Sequence, residues 1–170
     1  MSQLVALSVS IGVLGGIATF LFLKVSGLLI WAAFMAWACF FHSGGDTTAL
    51  RNTIVGNVFG AFCAWVAAVI LLAVPLGDTL GLPLWAGIVV GVTVLLMCLA
   101  AHIKAFSVIP ASVYGYGATF AFLLQTAGML TTDKLLSASL QNGFVVVAVS
   151  MVIGALFGFA SGKVGAVLTK

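Results

Sequence analysis

Between Arg51 and Asp78 the chain reads NTIVGNVFGAFCAWVAAVILLAVPLG, an uncharged run that fills positions 52–77. As a helix this run would rise about 39 Å, more than the roughly 30 Å of a bilayer's hydrocarbon core. Its apolar residues are continuous and do not alternate, which favours a membrane helix over a barrel strand.

The pattern extends outward in both directions. The charged positions are Lys24, Asp46, Arg51, Asp78, Lys104, Asp133, Lys134, Lys163 and Lys170. They bound six uncharged stretches, 1–23, 25–45, 52–77, 79–103, 105–132 and 135–162, the shortest of 21 residues. Each is long enough for a span of about 20 apolar residues. The reading is an all-α membrane protein with six transmembrane helices, at 4–23, 27–43, 52–74, 83–101, 105–125 and 142–162. Such spans leave no room for a soluble domain, so 1–170 forms a single transmembrane domain.

Composition agrees. Of 170 residues 64% are hydrophobic and only 5% charged, whereas soluble domains carry about a quarter charged residues. So few charges cannot clothe a water-facing surface. That excludes a soluble enzyme, a nucleic-acid binder and a disordered segment. The expected surroundings are a lipid bilayer. The first stretch lacks a basic n-region and an A-x-A cleavage site, and it is read as the first span. Arg51, Lys104, Lys163 and Lys170 fall on one side of six spans, against Lys24 and Lys134 on the other. The excess puts both termini in the cytoplasm. Cys39, Cys63 and Cys98 lie inside spans without C-x-x-C spacing and read as small buried hydrophobes.

Four spans carry G-x-x-x-G: Gly12 and Gly16, Gly56 and Gly60, Gly87 and Gly91, Gly154 and Gly158. They are spans 1, 3, 4 and 6, equivalent positions if the chain is two inverted three-helix repeats, 1–77 and 78–170. Gly56-Asn57-Val58-Phe59-Gly60 also resembles Gly154-Ala155-Leu156-Phe157-Gly158. Close packing of membrane helices produces the same pairs without any repeat. The polar features end span 2 but begin span 5, which a strict repeat would not give.

Two segments stand out chemically. In Phe40-Phe41-His42-Ser43-Gly44-Gly45-Asp46-Thr47-Thr48 the glycine pair ends span 2, and Asp46 or Thr47 caps span 3. The start of that helix, with Arg51, forms either an anion site or simply a well-capped turn. Asn57, inside span 3, needs a partner, either a neighbouring helix or a solute. In Phe106-Ser107-Val108-Ile109-Pro110-Ala111-Ser112-Val113-Tyr114-Gly115-Tyr116-Gly117-Ala118-Thr119, Pro110 cannot donate to the carbonyl of Phe106. A kink or break is expected there. Freed carbonyls and the hydroxyls of Ser107, Ser112, Tyr114 and Thr119 suit a neutral, hydrogen-bonding solute. The plainer alternative is a kinked helix whose serines bond to its own backbone.

Cys39 with His42, and Cys98 with His102, share helical faces and could hold a soft metal. Interfacial histidines above buried thiols explain them more simply, and neither metal nor cofactor is expected. The three aspartates sit near helix ends, and no G-x-S-x-G or H-E-x-x-H occurs. An enzyme is not expected, nor a proton relay.

With its Phe40–Gly45 turn, its Pro110 segment and its six short helices, the chain resembles a family of small bacterial inner-membrane proteins of unknown function. The resemblance implies a bacterial inner membrane and carries over no functional residue. Arg51-Asn52-Thr53-Ile54-Val55-Gly56-Asn57-Val58-Phe59-Gly60 is also similar to a motif of fusaric-acid-resistance and aromatic-acid exporter membrane domains. This chain has Asn52 in place of a glycine there and lacks their large cytoplasmic domain. That likeness implies organic-acid efflux.

The functional expectation is a channel or facilitator for a small polar solute, built as a homo-oligomer. Ser107, Pro110, Ser112, Tyr114 and Tyr116 would set its selectivity, opposite His42, Ser43, Gly44 and Gly45, with the glycine pairs packing the helices. The alternatives are an organic-acid exporter with Arg51 as its anion contact, and a non-transporting membrane subunit or regulator.

Overall fold

A computed structural model describes residues 1–169. The run after Arg51 folds within α3 (Thr47–Ala73), and the other helices are α1 (Gln3–Lys24), α2 (Ile30–His42), α4 (Gly77–Leu80), α5 (Leu82–Leu99), α6 (Ile109–Gln125), α7 (Thr132–Leu135) and α8 (Gly143–Leu168). Two 3-10 turns, Ala100–His102 and Lys104–Phe106, join α5 to α6. No strand occurs among the described residues. Gln3–Lys24, Thr47–Ala73, Leu82–His102 and Gly143–Leu168 are long and apolar enough to cross a membrane. The chain is thus all-helical, with long apolar helices that suggest a membrane protein.

Helix ends follow local chemistry and shift several expected boundaries. Helix α3 begins five residues before position 52, because the Asp46 carboxylate caps it, accepting from the Ala49 N–H at 2.7 Å. Helix α2 is shorter than 27–43: Gly27 takes φ +96° ahead of it, and Gly44 and Gly45 take φ +117° and +71° behind it. Such conformations favour glycine and stop a helix. The expected start of span 5 at 105 moves to 109. Pro110 stands in the first turn of α6, where its missing N–H would have had no helical partner. It therefore opens α6, which runs unbroken to Gln125: the expected span breaks at Ser107 and Val108, just ahead of Pro110, and no kink forms inside the helix. Helix α8 runs to Leu168, six residues beyond the expected end.

With 13 residues α2 rises about 20 Å, and with 17 residues α6 rises about 26 Å. Both are shorter than a bilayer core on their own.

Packing centres on α3 and α8, which touch each other. Helix α3 also lies along α6 and α5, and α8 along α2 and α1. Small residues bring the backbones together: Ala61, Ala64, Ala67 and Ala68 on α3 and Ala32, Ala33 and Ala36 on α2 are buried. A Cβ added at Gly60 would collide with the Ser112 carbonyl oxygen, and one at Gly154 with the backbone of Ala33. Gly56 faces Ala111, and Gly158 faces Trp37 and Phe40. The glycine pairs of α1 and α5 differ. Added methyl groups at Gly12, Gly16, Gly87 or Gly91 would meet nothing within 4 Å. Within one chain these four pack no neighbouring helix, because α1 and α5 turn those faces outward. Leu4, Phe20, Leu82, Leu95 and Leu96 are exposed on the same two helices.

Gly60→Ala is expected to destabilise the protein by about 3 kcal/mol, since a backbone rather than a flexible side chain must yield. For the fold of the single chain, Gly87→Ala is expected to be neutral, or stabilising by up to about 1 kcal/mol through helix propensity. Thermal unfolding of both variants in detergent, followed by circular dichroism, checks the contrast.

Candidate functional site

The buried face of α3 carries Thr53, Asn57 and Ala61 at four-residue spacing, with Gly56 and Gly60 beside them. Helix α6 meets this face with Ala111, Ser112 and Gly115. A Cβ at Gly115 would strike the carbonyl oxygen of Asn57, as one at Gly60 would strike that of Ser112. Reciprocal glycines therefore let the two backbones touch.

Polar side chains are sealed at this crossing. Thr53, Asn57 and Ser112 are 0%, 1% and 2% exposed. The Thr53 Oγ1, both ends of the Asn57 amide and the Ser112 Oγ have no hydrogen-bond partner among the described residues. A buried amide or hydroxyl without a partner costs on the order of 1–3 kcal/mol in proteins. Hydroxyls on helices usually bond back to the carbonyl of the preceding turn. Thr93 does so to Val89 at 2.8 Å and Thr119 to Gly115 at 3.0 Å. Thr53 and Ser112 do not. The nearest polar neighbour recorded for Thr53 is the Cys39 thiol of α2, a weak hydrogen-bonding group that also sits 3.9 Å from the Ser43 hydroxyl.

The α2–α8 crossing provides the contrast. There the Trp37 indole N–H donates to the Ser161 hydroxyl at 3.0 Å, which donates to the Gly158 carbonyl at 2.7 Å. Ser10 donates to the Ser161 carbonyl at 2.8 Å, and the Ser150 hydroxyl accepts from the Leu29 N–H at 3.0 Å. One glycine crossing is fully matched and the other is not.

The remaining residues expected along a pathway separate into different places. His42 stands edge-on to Tyr114, ring centroids 6.2 Å apart. With Met35, Ile109, Pro110, Val113 and Gly117 they line an apolar groove of about 570 Å³ on the outer side of α2 and α6. Gly44 and Gly45 line a second cleft with Gln3, Leu7 and Gly165, about 440 Å³. Gly45, Asp46 and Lys163 line a smaller one beside it, about 230 Å³. Ser43 is half-buried beside Cys39, while Arg51 is exposed on α3. Ser107 is exposed and donates to the Lys104 carbonyl at 3.0 Å. The Tyr116 hydroxyl pairs with Thr93 at 2.8 Å.

The structure thus places Asn57 and Ser112 at one helix crossing without joining their side chains, and brings His42 together with Pro110 and Tyr114. It does not gather Ser107, Tyr116 and Arg51 with them. Ser112 and Tyr116, four residues apart, share the buried face of the unbroken α6 with Thr119, but the Tyr116 hydroxyl is taken up by Thr93 of α5, and Tyr114 stands on another face against His42. Cys39 is buried while His42 is exposed, so that pair does not share an environment. Thr53 completes the cluster without being among the residues expected from the sequence, although its place four residues before Asn57 puts both on one face.

A family profile described as Protein of unknown function (DUF1097) matches residues 8–166. No curated protein matches the chain, and no solved structure does.

Because its amide is unmatched, Asn57→Leu is expected to leave stability unchanged or raise it by about 1–2 kcal/mol. Ser161→Ala, which strands the Trp37 indole, is expected to lower stability by a similar amount. Thermal unfolding of the two variants side by side makes the comparison.

Proposed function

The chain belongs to the DUF1097 family, a family of unknown function, and we propose that this member is a six-span membrane facilitator whose solute site is the α3–α6 crossing. The observation that carries the reading is the Asn57 amide, buried with both ends unpartnered in a chain that matches the comparable groups of its other glycine crossing. Retaining such a group costs stability, and a passing solute would use what the fold leaves unmet. Asn57 lies six residues after Arg51, about 9 Å along α3 and inside its uncharged run.

In this reading α2 and α6, lengthened by their flanking turns, are the second and fifth spans. The chain is two inverted repeats, with α3 packed on α6 and α5 as α8 is packed on α2 and α1. The membrane is a bacterial inner membrane with both termini cytoplasmic. The Met1 amino nitrogen lies 3.4 Å from the Leu168 carbonyl, so both ends share one end of the bundle. The buried polar side chains carry no charge, which fits passive movement better than proton coupling. The crossing is closed, so passage requires α6 to shift against α3. The outward glycines of α1 and α5 favour a second copy of this chain as neighbour, because small residues let membrane helices approach closely.

Purified protein in liposomes, followed by stopped-flow light scattering, is expected to pass small neutral solutes faster than empty liposomes. Asn57→Leu should cut that flux at least tenfold, whereas Arg51→Gln should leave it unchanged. Flux of organic acids that depends on Arg51 would favour an exporter instead. No flux from folded protein would overturn the transport reading.

A further inference from the structure

Resting on that reading, we propose that the solute is a small planar carboxamide or urea, bound one per chain against Asn57. The unmet groups define a specific complement. Asn57 offers an acceptor oxygen and a donor nitrogen on the same planar edge, and neither has a partner. A second amide can meet that edge with two antiparallel hydrogen bonds, its carbonyl accepting from Nδ2 and its N–H donating to Oδ1. The Thr53 and Ser112 hydroxyls, buried without hydrogen-bond partners on the same two helices, would serve a second N–H or the far side of the carbonyl once α6 parts from α3.

Charge decides against the other small polar classes. The buried polar residues, Ser10, Thr53, Asn57, Thr93, Ser112, Thr119, Asn142, Ser150 and Ser161, with the Cys39 thiol and the Tyr116 hydroxyl, include no carboxylate, amine, guanidinium or imidazole. A carboxylate, ammonium or sodium ion at this depth would have no counter-charge. A polyol can bond to the hydroxyls but lacks the paired edge that Asn57 complements. Size follows from the backbones: Gly60 and Gly115 hold α3 against α6, so a modest parting admits only a few heavy atoms. The number of sites follows from the contrast between crossings, since the polar groups around Ser161 and Ser150 are already bonded.

The test is flux of urea, acetamide, glycerol and sodium acetate into liposomes carrying the full chain. Urea and acetamide are expected to pass well above background, glycerol and acetate at background. Asn57→Leu should cut amide flux at least tenfold, and Thr53→Val, similar in shape, by severalfold, with folding of both checked by thermal unfolding. Glycerol or acetate flux that needs Asn57, without amide flux, would overturn the amide class and leave the pathway standing. Amide flux indifferent to both substitutions would overturn the site. Background flux for every solute would overturn the site and the transport reading together.

Discussion

Two backbones touch where α3 crosses α6, and the rest of the arrangement depends on that contact. Gly60 admits the carbonyl of Ser112, and Gly115 admits that of Asn57. In a bilayer, as these long apolar helices suggest, the hydrophobic effect would supply little attraction between helices, and close packing of small residues would hold them. Contact this close also fixes what lies beside it. Thr53, Asn57 and Ser112 are carried into the interface because they share helical faces with those glycines. Once there they are shut away from water.

The α8–α2 crossing uses the same device and reaches a different outcome. Gly154 receives the backbone of Ala33, and Gly158 receives Trp37 and Phe40. Its polar groups close a network through Ser161, which accepts from Trp37 and donates to Gly158. A satisfied network of this kind rigidifies the element that holds it, and an unsatisfied one is costly. One half of the molecule thus has the character of a fixed frame, and the other keeps groups that a ligand would stabilise. The outer helices α1 and α5 show mostly apolar side chains and unfilled glycines to their surroundings, as lipid or a second copy would favour.

Much of this arrangement is legible in the amino-acid sequence. Charge spacing locates the four helices long and apolar enough to cross a membrane and the shorter α2 and α6 beside them, because a run of more than 20 uncharged residues has few other destinations. The cap at Asp46 and the stop at Gly44-Gly45 follow from their side-chain and backbone chemistry. Harder to read is which way a residue faces. Gly56 and Gly87 belong to identical motifs, yet one meets Ala111 and the other meets nothing within 4 Å. The motif records small size and not the position of a neighbour. Pro110 is ambiguous for a similar reason: proline breaks a helix in its interior and opens one at its first turn. Only the 3-10 turns ahead of it decide which case applies. Thr53 is hidden because a helical threonine ordinarily bonds to its own backbone, and nothing in its type announces that it does not.

The proposed solute pathway stands on the Asn57 amide being a group that water and solute can reach when the crossing parts. Nuclear magnetic resonance of that side-chain amide, in protein held in lipid nanodiscs, observes this directly. The Asn57 NH₂ is predicted to exchange with water measurably faster than the Trp37 indole N–H, which is buried and bonded to Ser161. An Asn57 amide as protected as that indole would mean a crossing that never opens, and would contradict the pathway.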